Sequence, residues 1–324
     1  MPTPFIPGSK FPSPGDIDDA AERIDAHIHN TPLERSSLTD DFELQLKCEH
    51  LQKTGSFKLR GAMNRLITLD DEQMSRGVIA ASTGNHGQGV ALAAKITGVA
   101  ATIYVPDNSS PMKLAAIEAL GARLVKVAGD GLMSELQARQ AARSSGQVFV
   151  SPYNDPLVIA GQGTIGKELT LQHPSLEAVF VAVGGGGLIT GVATYLKAHN
   201  PDIRIYGCWP QNSPAMYTCI QAGHIQDVAE QPTLSDGTAG GIEPDAITFE
   251  ACQRLIDEHV LVSESEIANA MGLIAKHEHW IVEGAAGVAL AGCLQKTLQL
   301  SHQAVAVVLC GRNIDHDRFL KAIG

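Results

Sequence analysis

The stretch "AVFVAVGGGGLITGVATYL", residues 178–196, decides how this chain folds. Its first six residues are apolar without alternation and too few for a helix, as expected of a strand covered on both faces. Four glycines follow, Gly184, Gly185, Gly186 and Gly187, and then Leu188, Ile189 and Val192 fall at helical spacing. Strand, glycines and helix in that order make one step of a parallel β-α fold. Glycines at a helix start can wrap backbone N–H groups around a small anion. No Gly-Lys-Ser/Thr follows, so this is not a P-loop. Ile189 and Thr190 fill the registers that a G-x-G-x-x-G nucleotide fingerprint reserves for its last glycine. A plain strand-end turn is the ordinary alternative.

The same alternation extends outward in both directions. "GVIAAS", "ATIYVP", "RLVKVAG", "VFVS", "IRIYGCWP" and "AVAVVLCG" read as short buried strands, each joined to the next by a helical pattern. A helix is expected with Ile17, Ala21, Ile24 and Ile28 on one face, and others over 249–258 and 264–277. Residues 226–245 read as loop. The pattern implies an α/β protein of two open parallel-sheet domains. Residues 77–152 form the small one, 1–76 and 153–324 a discontinuous large one, and residues 1–15 a loose proline-rich leader. In such folds ligands gather at the carboxyl ends of strands.

The chain has 324 residues and a formal charge of −11. A phosphate backbone would be repelled, so nucleic acid is not an expected partner. No apolar run reaches membrane-spanning length, and the leader lacks the basic start and apolar core of a signal peptide. Six cysteines without a C-x-x-C pair suit reduced thiols in the cytoplasm. "HIH" and "KHEHW" place their histidines two apart on helical patterns, where side chains diverge; solvated histidines are expected and no metal site.

Three more strand-end features carry chemistry. "SFKLRGA" sets Lys58 just inside a helix beside Phe57; a desolvated lysine has a lowered pKa and becomes a nucleophile for carbonyl carbon. "STGNHGQG" offers Ser82, Thr83, Asn85 and His86 at another helix start, a cradle for a carboxylate. "LCGRNID" ends a strand on Cys310. Singly, these have bland readings: a solvated lysine, an ordinary N-cap, a small buried hydrophobe. Together they are the parts needed to hold pyridoxal phosphate and an amino acid.

Six blocks, "SFKLRGA", "STGNHGQG", "IAGQGTIG", "GGGGL", "EGAAGVALAG" and "CGRNID", occur in an order that resembles the fold-type II pyridoxal-phosphate enzymes (tryptophan synthase β-like), in the branch of serine/threonine dehydratases and serine racemases. The resemblance implies that Lys58 binds the cofactor as an imine and that Phe57 packs beside its ring. By the same likeness Gly184, Gly185, Gly186 and Gly187 hold the phosphate, Asn85 meets the phenolic oxygen, Glu283 borders the ring and Cys310 faces its nitrogen. Ser82, Thr83, Asn85 and His86 would seat the substrate carboxylate, with Asn154 and Gly237 nearby. Lys58 and Thr83 are the implied catalytic pair.

The implied reaction is β-elimination from L-threonine or L-serine, giving a 2-oxo acid and ammonia. A neutral thiol beside the ring nitrogen favours elimination over transamination. Alternatives are serine racemisation, with Thr83 as the opposite-face acid, and dehydration of another hydroxy amino acid such as 3-hydroxyaspartate or a hydroxyectoine-pathway intermediate. A homodimer is implied by the family. Trp209 stands where cation-binding relatives place a glutamate, so that site is not expected. With the chain ending at Gly324, neither is feedback inhibition by a branched-chain amino acid.

Overall fold

The computed structural model describes residues 10–324. Among them run ten strands: β1 (Leu33–Arg35), β2 (Glu43–Lys47), β3 (Val78–Ala81), β4 (Ala101–Pro106), β5 (Arg123–Val127), β6 (Val148–Phe149), β7 (Ala178–Ala182), β8 (Arg204–Pro210), β9 (Glu258–Val262) and β10 (Ala304–Val308). They form a six-stranded sheet in the order β1-β2-β10-β7-β8-β9 and a four-stranded sheet in the order β5-β4-β3-β6. β1 pairs antiparallel with β2; the other neighbouring pairs in both sheets are parallel. Every residue of the central strands β7 and β10 is buried, which is why their sequences are unbroken Ala, Val and Phe.

Three expectations change. The helix expected over 249–258 runs Ile247–Leu255, and Glu258 instead opens the edge strand β9. Only alternate apolar residues of "EHVLV" are buried there, so one exposed face made it resemble a helix tail. The first helix spans Pro14–Ile24 and buries Ile17, Ala20 and Ile24, leaving Ala21 half-buried and Ile28 beyond its end. Of the leader expected to be loose, residues 1–9 lie outside the described residues. The rest is docked: Phe11 is buried, and Ser13 caps the first helix in a reciprocal box with Asp16.

Three helices hold the functional elements in place through their backbones. A Cβ on Gly161 would sit 2.6 Å from Gly61 Cα, and one on Gly191 would sit 2.6 Å from Gly163 N. The helix Pro156–Gln172 therefore touches both the helix Lys58–Ile67 and the helix Gly187–His199 without intervening side chains. Beneath them lies a buried ionic cluster. Arg60 donates to Glu49 through Nε and Nη2, both at 2.8 Å, and through Nη1 to Glu168 at 2.6 Å; Lys47 Nζ meets Glu168 at 2.5 Å. Two cations face two carboxylates. Burial pushes the Glu49 carboxyl up, yet Arg60 and Lys47 hold it below its ordinary value. Trp209, at the end of β8, is fully buried and stacks on His259 with ring centroids 5.5 Å apart.

Candidate active site

The segments that follow β3, β6, β7 and β10 meet one another and the start of the Lys58 helix. Ser56 bridges to Gly311, and Phe57 N–H donates to Cys310 O at 3.2 Å. This pairing carries the start of the Lys58 helix onto the end of β10. Phe57 is buried, and its ring centroid lies 5.1 Å from Lys58 Nζ. Lys58 Nζ donates to Pro152 O at 2.9 Å. Burial pulls its pKa down to about 8, against the opposing pull of Cys310 and Glu283. Burial likewise drives the Cys310 thiol well up, so the group at the end of β10 is neutral.

β3 delivers the second wall. Ser82 Oγ accepts from Gly84 N–H at 3.1 Å, Thr83 lies half-buried beside it, and the helix Asn85–Thr97 begins without a side-chain cap. Its opening N–H groups therefore lack intrahelical acceptors. Asn85 Nδ2 donates to both Glu283 oxygens, at 2.8 and 3.0 Å. Asn313 supports this pair twice: its N–H donates to Glu283 Oε2 at 3.1 Å and its Nδ2 to Asn85 Oδ1 at 2.6 Å. Burial raises the Glu283 carboxyl despite these bonds.

His86 is engaged differently from the sequence expectation. Its Nε2 meets the carbonyl of Val150 at 2.8 Å, so that nitrogen carries the proton. Burial holds the ring pKa near 3, which leaves Nδ1 an acceptor. The ring thus has no second donor for a carboxylate; the backbone N–H remains one.

The third wall is the glycine quartet. Gly186 has φ +84°, a left-handed conformation that favours glycine, and directly precedes the helix Gly187–His199. A Cβ at Gly184 would sit 2.9 Å from Thr238 Cα, one at Gly186 2.7 Å from Cys252 Sγ, and one at Gly187 2.9 Å from Tyr153 Cα. One at Gly185 would sit 2.4 Å from Tyr153 Cγ and Cδ1. Thr248 Oγ1 fixes the loop by donating to Gly185 O at 2.6 Å. The result is a cup of bare backbone at a helix N-terminus.

Asn154 lies beside it, but both ends of its amide are engaged, with Glu243 Oε2 at 2.9 Å and Ile247 N–H at 3.0 Å. Gly237 is exposed, and a Cβ there would come within 3.4 Å of Glu283 Oε1. The sequence reading did not single out Tyr153, Thr248 or Asn313. "CGRNID" contained Asn313, but a single sequence gives no signal for contacts between distant loops.

Residues 24–311 match the family model described as pyridoxal-phosphate dependent enzyme. The chain belongs to that family. The enzyme is 42% identical over 303 residues to an L-threonine ammonia-lyase of Thermotoga maritima, covering 93% of this chain and 75% of that protein. Its structure is similar to maize serine racemase, with TM-score 0.90 and 31% identity over 96% of each chain. It is equally similar to the processed form of threonine deaminase isoform 2 from Solanum lycopersicum, with TM-score 0.90 and 32% identity over 99% of this chain and 93% of that one. The two-sheet architecture is the tryptophan synthase β-like one of fold type II.

The cleft fits the family's cofactor on its own geometry. A phosphate needs backbone N–H groups without intervening side chains, and the quartet sets four glycines at the N-terminus of the helix Gly187–His199. An aldehyde needs an amine that gives up its proton readily, and burial, by lowering the Lys58 pKa to about 8, brings the neutral form within reach near physiological pH.

Proposed function

We propose that this enzyme removes water from L-threonine and/or L-serine by β-elimination, releasing a 2-oxo acid and ammonia. The observation that carries the reading is the Lys58 amine: partly buried, titrating near 8, and set between the glycine cup and the Asn85 helix start. Kinship with an L-threonine ammonia-lyase at 42% identity supports it.

Bound pyridoxal phosphate supplies an electron-accepting ring that makes the substrate's Cα–H acidic. Gly184, Gly185, Gly186 and Gly187 hold its phosphate, Lys58 its aldehyde carbon, Asn85 its phenolic oxygen and Cys310 its ring nitrogen, with Phe57 and Glu283 beside the ring. Ser82, Thr83 and the N–H groups that open the Asn85 helix take the substrate carboxylate, where the helix dipole favours negative charge. His86 keeps that turn in place through Val150, and Asn154 and Gly237 flank the other side. Lys58, once displaced, accepts the Cα proton; an amine titrating near 8 is neutral often enough to do so. The Cys310 thiol, uncharged, places no anion against the ring nitrogen.

Thr83 favours a second reading. Its hydroxyl sits at the strand end that would face the opposite side of Cα, and the likeness to a serine racemase supports inversion as a companion activity. We propose that, among the described residues, 10–76 and 153–324 form one domain and 77–152 the other, a reading their two sheets support. We also propose a cytoplasmic homodimer. All six cysteines are free and buried, and among the described residues no helix is long and apolar enough to cross a membrane.

The test is a panel of L-threonine, L-serine and 3-hydroxyaspartate, with 2-oxo acid and enantiomer both followed, on wild type, Thr83→Ala and Lys58→Ala. Borohydride reduction followed by peptide mass should place the cofactor on Lys58. Absence of oxo acid from all three substrates refutes the lyase.

A further inference from the structure

One charged contact across the cleft has no place in the chemistry above. Arg139 stands on the helix Gly131–Ser145, which packs on the four-stranded sheet. Its guanidinium lies 4.3 Å from the ring centroid of Phe149, the last residue of β6. Glu243 lies on the other side of the cleft, in the loop before the helix Ile247–Leu255. Arg139 Nη2 approaches Glu243 Oε1 to 2.7 Å, and Glu135 steadies the same nitrogen at 2.8 Å.

Glu243 has further partners, and all lead to the glycine quartet. Its Oε2 accepts from Asn154 Nδ2 at 2.9 Å, and its backbone N–H donates to Tyr153 Oη at 2.9 Å. Tyr153 in turn covers Gly185 and Gly187 so closely that neither has room for a Cβ. Asn154 Oδ1 accepts from Ile247 N–H at 3.0 Å, and Thr248, the next residue, binds Gly185 O. One unbroken set of polar contacts therefore runs from the four-stranded side to the floor of the cup. The side chains of Arg139 and Glu243 are 24% and 15% exposed, so solvent screens this pair less than it would a surface ion pair.

We propose that Glu243 is a positioning residue that couples the four-stranded unit, through Arg139, to the phosphate-holding shape of the glycine quartet. The proposal rests on the reading that the quartet holds the cofactor's phosphate. Glu243 meets a cation from one unit while holding Asn154 by its side chain and Tyr153 by its backbone N–H. Neutralising it leaves the backbone bond to Tyr153 but removes the ionic tie to Arg139. The cup then loses its preformed shape, while the Lys58 amine, anchored on Pro152, keeps its place.

The experiment compares the affinities of cofactor-free protein for pyridoxal phosphate and for pyridoxal, which lacks the phosphate, by the absorbance of the imine. In wild type the phosphate should dominate affinity. In Glu243→Gln the preference for the phosphorylated form should fall about three- to tenfold, the coupling expected of side chains in one network. Pyridoxal affinity should stay constant. Arg139→Gln should reproduce the loss, and the double variant should add nothing. Thermal melting of the cofactor-free variants separates this from misfolding; should Glu243→Gln unfold, the more exposed Arg139→Gln decides. The proposal is overturned if both variants keep the wild-type preference, or weaken both ligands equally. If wild type itself does not distinguish the two ligands, the quartet reading falls and this proposal with it. If wild type distinguishes them and the variants match it, the proposal alone falls.

Discussion

Replacing Lys58 by Met should make the cofactor-free protein more stable, and the gain should fade as pH rises. Met keeps the apolar stem against Phe57 and removes the desolvated amine. The amine titrates near 8 in the fold against 10.5 ordinarily, so at pH 7 the charged group costs about 3 kcal/mol. The side chain is only partly buried, and solvent screening trims this to about 2 kcal/mol. Losing the bond to Pro152 O returns about 1 kcal/mol, leaving a net gain of about 1 kcal/mol at pH 7. The sign follows from proton counting. Between pH 8 and 10.5 the unfolded chain binds the proton that the fold has released, so wild-type stability rises there relative to the variant. The desolvation cost is full below 8, about half gone by pH 9.5, and absent above 10.5. Urea denaturation of both proteins, stripped of cofactor, across pH 6.5 to 9.5 measures the difference directly (a buffer range estimated from the linkage window). A difference that does not change with pH would show that Lys58 titrates in the fold as it does in the unfolded chain, and the account of its nucleophilicity would fail.

Two further perturbations test the surroundings of the amine. Gly185→Ala presses a methyl against the Tyr153 ring at 2.4 Å; it should cost about 1–3 kcal/mol and weaken pyridoxal phosphate more than pyridoxal, as equilibrium binding would register. Arg60→Met strands Glu49 and much of Glu168 without their cation. It should lower stability by about 3–5 kcal/mol, seen as a fall in denaturation midpoint, with a smaller loss if Glu49→Gln is added.

The sheets were legible because β7 and β10 are buried on both faces and so carry unbroken apolar runs. β9 was not, because an edge strand shows only alternate apolar residues and begins here with Glu258 and His259. β1, with the sequence Leu33-Glu34-Arg35, has none of the length on which periodicity depends. At the site, Lys58, the quartet and the Asn85 turn were legible as residues at element starts, where capping and dipole arguments apply. Tyr153, Glu243 and Asn313 were not. Each acts by joining loops far apart in the chain, as Asn313 does with Asn85 across 228 positions, and no local pattern encodes that. His86 shows the converse: the motif located it, but only the neighbouring Val150 carbonyl fixes which ring nitrogen carries the proton.

The backbone-to-backbone seams at Gly61–Gly161 and Gly163–Gly191 tie the segments bearing the Lys58 amine and the glycine quartet to one common helix. On the proposed function, main-chain contact then fixes the spacing between the groups that hold the two ends of the cofactor. Mutational drift is thereby steered to the opposite wall, around Ser82 and Thr83. On the proposed function, a change of substrate preference at that wall would leave the amine and the quartet in register.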